Sequence, residues 1–142
     1  IINIVKAFKE RYFLILCKRV AHVEHLLKRF TEEKVDATFL VGTKVQYNLQ
    51  SKVLIATIQK CGVGFDHPKL DSLILAADVK EYFIQYLGRV MRRQDVEPYI
   101  FDLVDDNSVL KKHYYDRRKI YKNHGGIFQS FSKTYPKIKL KI

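Results

Sequence analysis

The apolar positions of this chain follow two kinds of spacing. Tyr12 to Cys17 (YFLILC) is a continuous apolar run, long enough for a strand buried on both faces and too short for a helix. Similar runs follow at Ala37 to Val41 (ATFLV), Val53 to Thr57 (VLIAT), Leu73 to Ala77 (LILAA) and Tyr99 to Val104 (YIFDLV). Between the first two, Val20, Val23, Leu27 and Phe30 recur at helical spacing among Glu24, His25, Lys28 and Arg29, which predicts an amphipathic helix. The pattern predicts a second helix over Val79 to Arg93. Asp106 or Asn107 is set to cap a third, running to about Lys122 and ended by Gly125-Gly126. Strands separated by helices or loops predict an α/β fold with a mostly parallel sheet flanked by helices.

The length, 142 residues, suits one domain, and 47% hydrophobic residues suffice for one packed core. We take residues 1 to 123 as that domain and 124 to 142 as a basic C-terminal tail, with no regular element forced on most of residues 127 to 142. A formal net charge of +11 points to a polyanionic partner, nucleic acid first among them. Ten of the 26 Lys and Arg lie after residue 110, against the single carboxylate Asp116, so nine of the eleven excess positive charges sit there. Cys17 and Cys61 offer neither metal spacing nor a disulfide framework and read as reduced, buried thiols, which fits an intracellular compartment. No apolar run approaches the roughly 20 residues that span a bilayer, so no membrane partner is expected. The chain opens on Ile-Ile without an initiator Met, as an excised piece of a longer polypeptide would.

Candidate chemistry concentrates in two stretches. On a helix at 100° per residue, Gln85, Arg89 and Arg92 of QYLGRVMRR fall within about 60° of one another, opposite Phe83, Tyr86, Leu87 and Val90. Gly88 beside them costs roughly 1 kcal/mol of helix propensity relative to Ala, so a close approach there would account for it. Two guanidinium groups beside a small residue suit phosphate, because the planar fork donates bidentate hydrogen bonds and stays charged. A solvated polar face is the competing reading. The second stretch is VLIATIQKCGVGFD, where a strand ends at Thr57 and a loop carries Gly62, Gly64 and Asp66. Ligands bind at such carboxyl ends of parallel strands. Gly64 permits close backbone approach and Asp66 can accept from a ribose hydroxyl, although an ordinary turn would look similar. Gly62-Val63-Gly64 is not a dinucleotide fingerprint, which needs a helix directly after its glycines; here Pro68 and another strand follow.

The order of ATIQKCGVGFD, LILAA and QYLGRVMRR resembles motifs V and VI of superfamily 2 helicases, and YFLILCKRVAHVEHL resembles motif IV. The likeness covers roughly residues 11 to 122. The interval from Thr57 to Asp66 is one residue longer than in DEAD-box proteins and is similar to that of the DNA helicases of phages and large DNA viruses related to the repair helicases, as is DLVDDNSVLKKHYYDRRKIYKN. The resemblance implies a single C-terminal RecA-like domain of an ATP-dependent motor acting on nucleic acid, DNA by this likeness. For a viral protein the compartment would be host cytoplasm or nucleus. It further implies Arg92 as the arginine finger, Arg89 beside it on the γ-phosphate, and Gln85 as a positioning group. Gly64, Asp66 and Gly88 would face nucleotide. Thr57 would contact the nucleic-acid backbone, with Gly42, Thr43 and Lys44 at a neighbouring backbone-binding loop.

Neither G-x-x-x-x-G-K-S/T nor D-E-x-H/D occurs, so nothing in the chain cradles a β-phosphate or holds Mg²⁺. Alone, the chain is expected to be inactive as an ATPase; ATP with Mg²⁺ would be held by a preceding RecA-like domain of the same polypeptide. Other readings stand beside this one: a non-catalytic nucleic-acid-binding module on the same scaffold, or an interaction domain for an acidic protein. Lys111, Lys112, Arg117, Arg118, Lys119 and Lys122 form either a solvated helix face or part of a nucleic-acid track. Tyr114, Tyr115 and Tyr121 either pack on the sheet or stack on bases. Lys133, Lys137, Lys139 and Lys141 suit phosphate binding or a charged disordered tail equally.

Overall fold

The computed structural model describes residues 1–42, 46–62, 67–79, 88, 95–104 and 107–128, and the side chains of all these except Cys61. Five parallel strands form one sheet in the order β2-β3-β1-β4-β5: β1 (Phe13–Cys17), β2 (Ala37–Leu40), β3 (Val53–Thr57), β4 (Ser72–Leu75) and β5 (Tyr99–Asp102). The apolar runs became the expected strands because the three central ones are buried on both faces, every residue of β1, β3 and β4 being buried. The edge strands β2 and β5 are only partly buried.

Alternation along β1 splits the core in two. Phe13, Ile15 and Cys17 face a layer built with Val23, Leu26 and Phe30 of α2 (Val20–Glu32) and Ile4 and Val5 of α1 (Ile2–Ala7). Leu14 and Leu16 face the opposite layer, where Tyr121 of α4 (Ser108–Asn123) packs. Helices therefore cover both faces of a parallel sheet, as its two-sided burial requires. Asn107 is the cap of α4, its side chain accepting from the Val109 and Leu110 N–H groups at 3.0 and 3.3 Å. The glycine pair ends the helix as expected: Gly125 takes φ +78°, and the Gly126 N–H donates to the Tyr121 carbonyl at 2.9 Å. A Cβ on Gly126 would sit 2.8 Å from that oxygen, so only glycine permits the contact.

Several expectations are corrected. Val20 is 45% exposed and does not join the apolar face of α2, because it is the first helical residue; Leu26 takes its place. The stretch after Thr57 is not all loop, since α3 (Ile58–Gly62) begins at once. β4 starts one residue earlier and ends two earlier than expected, β2 ends before Val41, and β5 before Leu103. α1 had no counterpart in the pattern. Of the helix expected over Val79 to Arg93, Gly88 is helical and Val79 is buried; the other positions lie outside the described residues, as does the tail beyond Phe128.

Candidate functional site at the carboxyl edge of the sheet

Parallel pairing brings the carboxyl ends of all five strands to one edge: Cys17 lies opposite Thr57, Leu40 opposite Ala56, Leu16 opposite Leu75, and Leu75 opposite Asp102. From this edge the chain leaves β2 after Leu40, β3 after Thr57 and β4 after Leu75. Thr57 ends β3, is 7% exposed, and its Oγ1 accepts the Lys60 N–H at 3.4 Å, so it starts α3. Gly42, just past β2, is exposed with φ +58°, a conformation that favours glycine. Gly88 is helical and exposed, and a Cβ there would meet no atom within 4 Å. Among the described residues, neither backbone strain nor packing accounts for that glycine. Thr43, Lys44, Gly64, Asp66, Gln85, Arg89 and Arg92 lie outside the described residues.

At the same edge the structure assembles a charge network that lay outside the expectations above. Arg117 of α4 is buried, with 4% of its side chain exposed. Its Nε and Nη2 donate to both carboxylate oxygens of Asp102 at 2.8 Å, a bidentate pair. Its Nη1 donates to Asp78 Oδ1 at 2.8 Å and to the Val79 carbonyl at 2.9 Å. The Tyr121 hydroxyl donates to Asp102 at 2.7 Å, and His113 Nδ1 meets the second oxygen of Asp78. Burial alone would raise the Asp78 pKa, but the bonds from His113 and Arg117 outweigh it and the net shift is downward. An ionised Asp78 can only accept, so His113 Nδ1 is the donor. Burial opposes the Arg117 charge, yet the Asp102 and Asp78 carboxylates more than restore it and the pKa moves up. Tyr121 is pushed up by burial and by the neighbouring Asp102 charge.

Arg117 is thus neither a solvated cation nor free to touch phosphate, and Tyr121 packs on the sheet rather than standing ready to stack on bases. The signal for this was present: His113, Arg117 and Tyr121 recur at i, i+4 and i+8 on one face of α4. On the other face Lys112, Tyr115, Lys119 and Lys122 are exposed and fall within about 80° of one another. Beside the network, Ala76, Ala77, Asp78, Leu103, Leu110 and Arg117 line a pocket of about 180 Å³. The Cys17 thiol, buried against the helical layer, is pushed up to about 12 by that burial. No helix of the described residues is long and apolar enough to cross a membrane.

No protein-family model matches the chain. It is 45% identical to Putative helicase 161L of Invertebrate iridescent virus 6 over 151 residues, covering 92% of this chain and 34% of that protein. Uncharacterized protein 108L of Invertebrate iridescent virus 3 is 54% identical over 89 residues, covering 63% of this chain and 86% of that protein. Putative helicase 055L of Frog virus 3 (isolate Goorha) is 38% identical over 112 residues, 77% of this chain and 25% of that protein. The chain therefore spans about a third or less of the two helicase-named relatives. Among solved structures, T4 UvsW superposes with a TM-score of 0.63 at 20% identity, covering 86% of this chain and 31% of that one. The C-terminal part of the Fun30 ATPase domain gives 0.63 at 14% identity, covering 80% and 41%. Matching 86% of protein 108L at 54% identity, the chain belongs to that protein's iridovirus family, which is similar in turn to the putative helicases 161L and 055L, and its parallel sheet has the RecA-like fold of helicase domains.

Proposed function

We propose that the chain is the C-terminal motor lobe of an ATP-dependent superfamily 2 DNA helicase or translocase, completing an ATP site whose P-loop and Mg²⁺ ligands lie on a second RecA-like lobe of the same polypeptide. The observation that supports this best is that Gly42 and Thr57 stand at the carboxyl edge of a parallel sheet, the edge from which the chain also leaves β3 and β4. Ligands of open α/β sheets bind outside that edge. Among the described residues, nothing within 4 Å of a Cβ on the exposed Gly88 would keep a phosphate from the backbone there.

ATP bound with Mg²⁺ supplies the γ-phosphoryl group whose transfer to water drives the cycle. In this reading Arg92 reaches across the cleft as the arginine finger when the lobes close, with Arg89 beside it. Both guanidinium groups stabilise charge on the transferring phosphoryl group, and Gln85 orients the site. Gly64 and Asp66 face the nucleotide sugar and phosphate, while Thr57, Gly42, Thr43 and Lys44 follow the nucleic-acid backbone. Opening and closing of the cleft moves the strand past these contacts. The exposed cations Lys112, Lys119 and Lys122 of α4 add a sequence-independent attraction for phosphate.

Arg92→Ala in the polypeptide that joins this chain to its P-loop lobe tests the reading. With saturating nucleic acid, ATPase turnover is expected to fall by roughly 10³-fold or more. Turnover at the wild-type rate would reject the assignment.

A further inference from the structure

The Arg117 network uses charge where apolar side chains would pack as stably, because desolvating an ion pair commonly cancels what its attraction returns. Its geometry is therefore more informative than its presence. Arg117 spans three segments: α4, the last residue of β5 through Asp102, and the chain just beyond β4 through Asp78 and the Val79 carbonyl. Both oxygens of Asp78 are held, one by Arg117 and one by His113. The Ala76 N–H is tied to the Leu16 carbonyl at 3.0 Å, and the Val79 side chain is 1% exposed. Residues 76 to 79 are thus fixed by backbone, ionic and apolar contacts together. Val79 stands six residues before Gln85, ten before Arg89 and thirteen before Arg92.

We infer that Asp78, held by Arg117 and His113, is a positioning residue: it fixes the point from which the chain leaves β4 toward Gln85, Arg89 and Arg92, and so sets how far the arginine finger reaches. Asp78 touches no reacting atom in this role and acts through Arg92. The inference rests on the function proposed above. Arg117 cannot serve as the first probe, because its loss strands two carboxylates and threatens the fold. Asp78→Ala is the gentler change, since 24% of that side chain is already exposed and the Arg117–Asp102 pair remains.

A double-mutant cycle on ATPase turnover, in the polypeptide joined to its P-loop lobe with nucleic acid saturating, tests the inference. The four proteins are wild type, Asp78→Ala, Arg92→Ala and the double variant, with slow rates read from labelled ATP. Misplacing a catalytic group by about 1 Å costs up to roughly 100-fold, so Asp78→Ala is expected to lower kcat by about 10- to 100-fold with KM for ATP unchanged. The double variant should turn over no more slowly than Arg92→Ala alone, because a finger already absent cannot be misplaced. Asp78→Glu should recover part of the loss. Wild-type turnover by Asp78→Ala, or losses that multiply in the double variant as a general loss of folded protein would produce, would overturn the positioning role and leave the proposed function standing. Undiminished turnover by Arg92→Ala would strike the proposed function itself and the inference with it.

Discussion

Replacing Arg117 with Met keeps the length and apolar stem of the side chain and removes its guanidinium group. The change deletes four hydrogen bonds: two to Asp102 at 2.8 Å, one to Asp78 at 2.8 Å and one to the Val79 carbonyl at 2.9 Å. Asp102, with 8% of its side chain exposed, keeps the Tyr121 hydroxyl as its one donor from this network. Removing one partner of a buried ion pair costs about 3–5 kcal/mol, chiefly because the remaining charge stays desolvated. A domain of this size is stable by about 5–15 kcal/mol, so the loss takes about a fifth of the stability or more. Urea denaturation followed by far-ultraviolet circular dichroism reads the effect directly. With a slope of roughly 2 kcal/mol per molar urea, the midpoint should fall by about 1.5–2.5 M while the slope holds.

Adding Asp102→Leu to Arg117→Met removes the stranded charge, and the double variant should recover at least half of the lost midpoint. A single-variant shift below about 0.5 M would mean that water replaces the guanidinium at little cost, and the account of the network as a buried clamp would be refuted. A double variant no better than the single one would locate the loss in packing rather than charge.

Asp78 should make stability pH-dependent. Its folded pKa is depressed, so its contribution is complete above the unfolded value near 4 and disappears as pH falls through the folded value. The stability difference between wild type and Asp78→Asn, measured by urea melts at pH 7 and pH 3, should therefore shrink at the acid end. Cys17 has the opposite sign: burial holds the thiol neutral up to about pH 12, so its contribution is intact below the unfolded value near 8.5 and is lost as pH climbs beyond it. In a Cys61→Ser background, a chromogenic disulfide reagent at pH 8 should label Cys17 only as fast as the protein unfolds; immediate stoichiometric labelling of native protein would contradict its burial. Asn107→Ala removes the cap on the Val109 and Leu110 N–H groups and should destabilise the chain by about 1 kcal/mol in the same melts. Converting Lys112, Lys119 and Lys122 together to Gln should weaken DNA binding and reduce the slope of log affinity against log salt by about 2 to 3, with an unchanged slope excluding that face from the interface.

The strands were legible because a strand buried on both faces is apolar at nearly every position, as YFLILC and VLIAT are. Their ends were less so. Ser72 looked like a boundary but is a buried strand residue, because its hydroxyl finds Asp71 at 3.1 Å. α1 and α3 are six and five residues long, below the length at which a period declares itself, and α1 has no side-chain cap; burial of Ile4 and Val5 accounts for α1 instead. Gln85, Arg89 and Arg92 were singled out by chemical type, since paired Arg beside Gly suits phosphate, and they lie outside the described residues.

Arg117 shows where such reading stops. Its neighbours on the chain are Arg118 and Lys119, which suggest a solvated cationic face, whereas its partners Asp102 and Asp78 lie 15 and 39 residues away. Charge sums over a segment weigh all three alike. Helical phase separates them, because Arg117 and Tyr121 share the face that meets the sheet while Lys119 and Lys122 share the one that does not. A cation on the apolar side of an amphipathic helix must find an acid or remain expensively desolvated. Asp102 ends β5 and Asp78 stands just beyond β4, so Arg117, one of six cations read as a solvated face or part of a nucleic-acid track, instead ties α4 to the carboxyl edge of the sheet.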